Sequence, residues 1–167
     1  MIGILEFERR SYGAALDQYE RALAAFSECE DAEGMGLALN SIGATLRTVG
    51  RSADAREALE RALAYNEITS RADLLGHTLG MMGALEMDAG AADRAMPLFE
   101  RSLAIRLEQG DRRGEGWMRY ELSRAAAAAS MRDRAREMLD SGAMAARDCG
   151  DTELGEACER LRRTAGL

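Results

Sequence analysis

Apolar residues recur along the chain at the three- and four-residue spacing of amphipathic α-helices. In residues 52–69 this face carries Ala55, Leu59 and Ala62, and charged residues fill the positions between them. A glycine, Gly50, precedes this stretch and is a natural helix stop. The pattern therefore predicts helices joined by short turns. We expect these helices at 2–10, 13–29, 32–49, 52–69, 72–89, 92–109, 112–129, 132–148 and 152–164.

The same pattern returns every 40 residues. The segment 55–63 has recognisable copies at 15–23, 95–103 and 135–143. A fixed period of this length indicates repeat units that bury their apolar faces against their neighbours. We expect one domain over residues 1–167. Its repeats would span about 1–30, 31–70, 71–110 and 111–150, followed by a capping helix at 151–167.

Residues that stabilise helix ends lie near the predicted turns. Side chains expected to cap helix N-termini are Ser52, Ser70 (in a capping box with Asp73), Asp111 and Asp151. Pro97 lies inside the predicted helix 92–109, beyond its first turn. Because proline lacks an N–H donor, it should bend this helix or delay its start.

The 40-residue unit resembles the tetratricopeptide repeat. On its first helix, that family's helix-turn-helix carries an apolar residue and an apolar–glycine pair. Its second helix carries three marked positions: an alanine, then a leucine or an aromatic residue, then another alanine. The matching residues are Leu39, Ile42-Gly43, Ala55, Leu59 and Ala62 in the second unit, and Leu79, Met82-Gly83, Ala95 and Phe99 in the third. The resemblance implies an all-α, right-handed α-solenoid of about four helix-turn-helix units with a C-terminal capping helix.

The glycines and large apolar residues of this pattern predict the packing between helices. Gly43 and Gly83 would let the first helix of a unit approach its partner closely, because a larger side chain would clash there. Leu59, Phe99 and Tyr19 would fill the space between repeats.

Composition excludes several classes of partner and location. The net charge of −7 argues against general binding to nucleic acid or to anionic membranes. No apolar run reaches the length of roughly 18 residues that a membrane span needs. The three cysteines, Cys29, Cys149 and Cys158, form no Cys-x-x-Cys pair, so we expect reduced thiols in a cytoplasmic protein.

The sequence contains no constellation that indicates catalysis. His77 is the only histidine, so a two-histidine metal site cannot be built. A histidine-based triad would have to use His77 itself, with no other histidine to spare. The glycine-rich segments lack the strand and the Gly-Lys-Ser/Thr motif of a phosphate loop. We therefore expect a protein that is not an enzyme and that uses no cofactor or metal.

The resemblance implies a concave groove, lined by the first helix of each unit, that binds a protein or peptide. The residues that it places there are Asn40, Arg47, His77, Trp117, Tyr120 and Arg124, with Arg160 following on the last helix. Asn40 would contact a peptide backbone, and Arg47 and Arg124 would meet carboxylates. Three alternatives stay open: Trp117 packs under the capping helix, His77 is a groove-lining or buried polar residue, and the arginines are only solvated.

The expected function is a non-enzymatic scaffold that binds proteins or peptides. By resemblance it would be the sensor or adaptor part of a larger bacterial regulator. The alternative is a structural module that forms homodimers by stacking through an incomplete first repeat, since Ile2 and Gly3 align with Ile42 and Gly43. The first unit thus lacks the residues that precede this pair in the second.

Overall fold

The fold consists of α-helices joined by three-residue turns, except for a two-residue turn between the last two. A computed structural model describes the backbone of residues 2–167 and the side chains of residues 11–167. The helices are α1 (Ile2–Glu28), α2 (Ala32–Thr48), α3 (Ser52–Ile68), α4 (Ala72–Asp88), α5 (Ala92–Glu108), α6 (Arg112–Ala128), α7 (Arg132–Cys149) and α8 (Thr152–Ala165). No β-strand occurs within residues 2–167. The all-α prediction is confirmed, and from residue 32 onward the predicted helices match the observed ones to within a residue or two.

The predicted break between helices 2–10 and 13–29 is wrong. Residues 2–28 form the single helix α1, so the first predicted repeat is not a helical hairpin. Gly13 lies inside this helix with open space around it. One interior glycine costs about 1 kcal/mol relative to alanine, which a helix of 27 residues tolerates.

The uninterrupted α1 also changes the expected packing of Tyr19. Leu59 and Phe99 are fully buried as predicted, but Tyr19 is 36% exposed. Because α1 does not turn back on itself, no first helix of the same repeat covers this ring. The predicted stacking of two copies through the first repeat concerns side chains of residues 1–10, outside those described, and it stays a prediction.

The turns between helices repeat every 20 residues. Each contains one residue with positive φ, namely Glu30, Gly50, Ser70, Gly90, Gly110, Ser130 and Gly150. At the second turn the Gly50 N–H donates to the Arg47 carbonyl at 3.0 Å, and the Arg51 N–H donates to the Leu46 carbonyl at 2.9 Å. These two bonds define a Schellman motif, which satisfies carbonyls left over at a helix C-terminus. Equivalent bonds recur at the other turns.

Aspartate caps two helices where the sequence predicted it. The Oδ1 atoms of Asp111 and Asp151 accept hydrogen bonds from the Gly114 and Leu154 N–H groups at 2.8 and 3.0 Å. Asp31 caps α2 in the same way, through the Gly34 N–H at 3.0 Å, and the sequence analysis missed it. Each bond satisfies one of the four N–H groups that a helix N-terminus leaves unpaired.

Serine does not cap the helices for which it was predicted. Ser52 is the first residue of α3, whose N-cap is Arg51 without a side-chain bond. Ser70 has φ +54° and precedes the start of α4 by two residues, so it belongs to the turn. Each predicted serine lies at least one residue away from the N-cap position, which is the residue just before the helix starts.

The chain divides into two compact units, Met1–Met81 and Met82–Leu167, each described here by itself. In the first unit Leu39, Leu59 and Leu79 are among the most buried side chains. A Cβ atom on Gly43 would lie 2.6 Å from Leu59 Cγ, which shows the predicted close approach of α2 and α3.

The second unit contains the same glycine contact and an apolar core. A Cβ atom on Gly83 would lie 2.5 Å from Phe99 Cε1. The core side chains are Ala95, Met96, Phe99, Met118, Leu122, Ala125, Leu139, Ala146, Leu154 and Cys158. Helix α5 begins at Ala92 and continues through Pro97, so the proline does not delay its start.

Candidate binding surfaces

Helix α6 presents two aromatic rings and a guanidinium on one face. Trp117, Tyr120 and Arg124 are spaced by three and four residues, which places them together on the helix surface. The Trp117 and Tyr120 rings meet edge to face, with centroids 5.7 Å apart and planes at 84°. All three side chains are half-buried. The structure therefore brings together the predicted site residues of the second unit.

Cations lie close to the Tyr120 ring. The Arg124 guanidinium carbon lies 6.0 Å from the ring centroid, and Arg124 Nη1 donates to Glu121 Oε2 at 2.7 Å. Arg160 of α8 stands 40 residues after Tyr120, at the equivalent repeat position, and pairs with Glu156 at 3.4 Å. Burial raises the pKa of the Tyr120 hydroxyl, while the positive charges of Arg124 and Arg160 act to lower it. The hydroxyl therefore stays protonated at neutral pH and can donate a hydrogen bond.

Asp151 fixes Trp117 against the start of α8. Asp151 Oδ2 accepts from Trp117 Nε1 at 3.1 Å and from Arg113 Nε at 2.7 Å, while its Oδ1 caps α8. The pKa of this carboxyl is lowered, first by the Leu154 N–H bond and then by Arg113. The sequence predicted Asp151 only as a cap, because nothing in the spacing of 34 residues indicates its contact with the indole.

The inner side of Trp117 packs against the core under α8. That core includes Leu154 and Cys158, and Tyr120 packs against it as well. Burial raises the pKa of the Cys158 thiol, so this cysteine stays protonated and packs as an apolar group. Packing under the capping helix was one of the alternatives for Trp117, and the observed geometry agrees with it. A half-buried indole still leaves part of its surface for a partner.

In the first unit, Asn40 belongs to a buried hydrogen-bond network. Its side chain is 2% exposed, and its Oδ1 accepts from Thr78 Oγ1 at 2.8 Å. Thr78 Oγ1 in turn accepts from Asn66 Nδ2 at 2.9 Å. This network joins α2, α3 and α4, and the sequence analysis missed Asn66 and Thr78. A partner would have to reach a covered amide, so the predicted contact of Asn40 with a peptide stays a prediction.

Arg47 and His77 also lie in the first unit. Arg47 is half-buried in the last turn of α2, and His77 is exposed on α4. The sequence analysis did not single out Leu37, which stands 40 residues before His77 and 80 before Trp117 and is 51% exposed. Its exposure makes it a further apolar candidate for contact with a partner.

The described residues show neither a metal site nor a membrane-spanning helix. Among residues 11–167, no group of three histidine, cysteine or acidic side chains is placed to hold a metal ion. None of the helices found in that part of the chain combines the length and the apolar character needed to cross a bilayer.

Comparison with known proteins identifies the repeat and the fold. Residues 1–67 match the family model described as Tetratricopeptide repeat. The crystal structure of aspartyl phosphate phosphatase F from Bacillus subtilis matches with a TM-score of 0.88 and 17% identity, covering 95% of this chain and 42% of that one. The chain thus spans less than half the length of that protein, and at this identity the likeness shows the fold. No curated protein matches the chain.

The family model and the fold agree with the 40-residue period. The match over residues 1–67 includes the Leu39, Ile42-Gly43, Ala55 and Leu59 pattern. The fold likeness covers nearly the whole chain and shows a helical-repeat architecture. Residues 1–67 therefore match the tetratricopeptide repeat, and the chain as a whole has the fold of a helical-repeat protein.

Proposed function

We propose that the protein is a scaffold that binds a peptide or helix through the aromatic face, defined as Trp117, Tyr120, Arg124 and Arg160. Helical repeat proteins use extended surfaces of this kind to bind other proteins. The observation that carries the proposal is the edge-to-face pair of Trp117 and Tyr120 with a guanidinium beside it. Tryptophan, tyrosine and arginine are the residue types that dominate the energetics of interfaces.

The chemistry of the aromatic face favours a partner that carries a carboxylate. Arg124 and Arg160 now pair with Glu121 and Glu156 on their own helices. The Arg160–Glu156 pair is exposed, and pairs of this kind contribute only about 0–1 kcal/mol, so Arg160 exchanges its partner at little cost. The Arg124–Glu121 pair is partly buried. The Tyr120 hydroxyl, whose pKa both arginines act to lower, adds a neutral donor. A side-chain or C-terminal carboxylate bound here would gain charge-assisted hydrogen bonds.

A binding role is a better proposal for this chain than a catalytic one. The similar structure is named a phosphatase, but a likeness at 17% identity supports the fold and carries no activity over. We propose that this chain acts without catalysis, as the sensor or adaptor part of a larger bacterial regulator in the cytoplasm. We propose that the Arg47 and His77 side chains of the first unit also contact a protein or peptide.

The proposal predicts that peptides selected on the protein depend on Tyr120 and Arg124. Phage-displayed random peptides would be selected on the full chain, and their affinity would be measured for Tyr120→Ala and Arg124→Ala. We expect each substitution to weaken binding at least about tenfold, which equals about 1.4 kcal/mol. Because the chain has a single tryptophan, peptide binding should also change Trp117 emission.

The matched control is Arg136→Ala, which removes an exposed arginine of α7. It should leave the affinity unchanged. Retained affinity in Tyr120→Ala and Arg124→Ala, with helix content intact by circular dichroism, would refute a role for the aromatic face.

A further inference from the structure

A second surface in the first unit has an apolar floor and an acidic rim. The cleft between α1 and α3, here called the α1–α3 cleft, has a volume of about 280 Å³. Its floor is formed mainly by Leu39, Ile42 and Leu46 of α2, and its rim includes Glu20, Asp54 and Glu57. It is a site distinct from the aromatic face, which lies in the second unit.

The carboxylates at this rim are incompletely neutralised. Asp54 is paired with Arg51 of the preceding turn, at 2.5 Å. Glu20 and Glu57 are exposed and form neither an ion pair nor a hydrogen bond in the described structure. Arg61, one turn after Glu57 on α3, also lines the cleft without forming an ion pair. Three carboxylates and two arginines, Arg51 and Arg61, thus line the cleft, and Glu20 and Glu57 lie on opposite sides of it.

In the second unit, side chains of the chain itself occupy the repeat positions that correspond to the α1–α3 cleft. Counting 80 residues on, Glu20 corresponds to Glu100, Asp54 to Arg134 and Ala58 to Met138. Arg134 of α7 forms an ion pair with Glu100 of α5. Met138 packs against the cluster that contains Phe99 and Leu122. The first unit has an aspartate in place of the arginine and an alanine in place of the methionine.

Two later repeats carry an arginine at the repeat position of Asp54, and both arginines pair with a carboxylate. Arg94, 40 residues after Asp54, binds Glu86 at 2.7 Å. Arg134 binds Glu100. Only the second repeat places an acid here, and this acid pairs with the nearby Arg51 instead. As a result, the α1–α3 cleft has no arginine at the repeat position of Arg134 and no large apolar side chain at that of Met138, and its own arginines are Arg51 and Arg61.

We propose that the α1–α3 cleft binds an amphipathic helix of a partner protein that presents an arginine and, four residues further on, a methionine or leucine. The arginine binds Glu20 and Glu57, and the apolar side chain packs against the half-buried Leu23 at the edge of the floor. Charge complementarity selects an arginine over an acidic residue at this position of the partner helix. The partner supplies the two groups that Arg134 and Met138 supply within the second unit.

The test uses a peptide with the sequence of residues 132–148, which carries an arginine and a methionine at this spacing, acetylated and amidated at its ends. It is titrated into the isotopically labelled full chain, and backbone amide shifts are followed by NMR. We expect saturable shifts around Leu23, Leu39 and Ala58. A control peptide with Arg134→Glu and Met138→Ala should bind at least about tenfold more weakly. High salt should weaken the binding of the first peptide.

Two variants of the full chain test the cleft itself. Asp54→Arg combined with Ala58→Met recreates the filled arrangement of the second unit, and Glu20→Gln combined with Glu57→Gln removes the acidic rim without changing the floor. Each should lower the affinity at least about tenfold while the helix content stays the same. The proposal is overturned if shifts are absent at about 1 mM peptide or are centred on α5 and α6. Equal binding of both peptides, or a dimer of the chain that occupies the cleft, would overturn it as well.

The outcome is separable from that of the proposed function. Peptides that bind the aromatic face should be unaffected by Glu20→Gln and Glu57→Gln. Failure at the α1–α3 cleft therefore leaves the Tyr120 and Arg124 prediction standing, and the reverse also holds.

Discussion

Single side chains set how closely neighbouring helices of this protein approach. Gly43 and Gly83 each face a large, fully buried residue of the next helix, and a Cβ atom at either position would overlap that residue. The contact is predictable because a glycine on one helix and a large apolar residue on its partner recur together at a fixed spacing.

The first prediction is that Gly43→Ala destabilises the protein. The added methyl group would lie 2.6 Å from Leu59 Cγ, so α2 or Leu59 must shift, at a cost of about 1–3 kcal/mol. Urea unfolding followed by circular dichroism measures this change. Gly155→Ala in α8 is the control: its Cβ would meet nothing within 4 Å, so the substitution should stabilise the helix by up to about 1 kcal/mol. Equal effects of the two substitutions would show that the close approach of α2 and α3 has no energetic consequence.

The second prediction concerns Asp73 at the start of α4. The hydrogen bond from Arg71 lowers the pKa of the Asp73 carboxyl to about 2, and the Leu74 N–H adds to this effect. A depressed pKa in the folded state means that the stabilisation is present above the unfolded pKa of about 4 and is lost as the pH falls through 2. Since about half of Asp73 is exposed, solvent reduces the size of this contribution.

The measurement for Asp73 is an NMR titration of its carboxyl carbon in wild type and in Arg71→Gln. The wild-type midpoint should lie near 2. Loss of the guanidinium in the variant should move it upward, toward the value of about 3.9 found in model peptides. Identical midpoints in the two proteins would exclude Arg71 as the main cause.

The contacts between repeats were less predictable than the glycine contacts. The Asn40–Thr78–Asn66 network joins residues up to 38 positions apart through side-chain torsions that no local pattern encodes. The Trp117–Asp151 bond has the same character. The sequence identified Asn40 and Trp117 as notable residues, but their partners became visible only in the packed structure.

At the scale of elements, a three-residue turn determines where each helix begins and ends. From α2 to α6 the helices are 17 residues long, and one residue with positive φ follows each of them two positions after the helix ends. The next helix begins two residues after that one, so Gly50 is followed by Arg51 as N-cap and by Ser52 as the first helical residue. This fixed geometry explains why the serine caps were misplaced.

The glycines made most of the helix boundaries predictable. Gly50, Gly90, Gly110 and Gly150 all adopt the left-handed conformation that glycine favours. Gly13 does not, and the sequence alone could not distinguish it from a turn residue. The turns at Glu30, Ser70 and Ser130 were still located correctly because the 40-residue period places them between glycine turns.

The third prediction follows from the non-glycine residues in these turns. Ser130 has φ +63°, a conformation that costs an L-residue roughly 1–2 kcal/mol. Ser130→Gly should therefore raise the free energy of unfolding, by up to about 1 kcal/mol once the greater chain entropy of glycine is counted. Gly90→Ala at an equivalent turn should lower it by about 1–2 kcal/mol. Thermal and urea unfolding would contradict the account if both substitutions changed stability in the same direction.

At the scale of the whole molecule, equivalent positions of the repeat have different surroundings. One such position carries, at intervals of 40 residues, Asn40, Gly80, Tyr120 and Arg160. Asn40 is buried in a polar network, whereas Tyr120 lies on the aromatic face. Core positions keep their apolar character from one repeat to the next, which is why the fold class could be predicted. The surface residues proposed for binding vary between repeats, and a period cannot predict them.

The measurement that tests the central claim most directly is hydrogen–deuterium exchange of the full chain with and without a peptide selected on it. The account predicts slower exchange, on binding, in the α6 segment 117–124 and in the α8 segment around Arg160. It also predicts that this protection is lost in Arg124→Ala. Protection confined to α5 and α7, or protection that persists in Arg124→Ala, would contradict the proposal that the aromatic face is the binding surface of this protein.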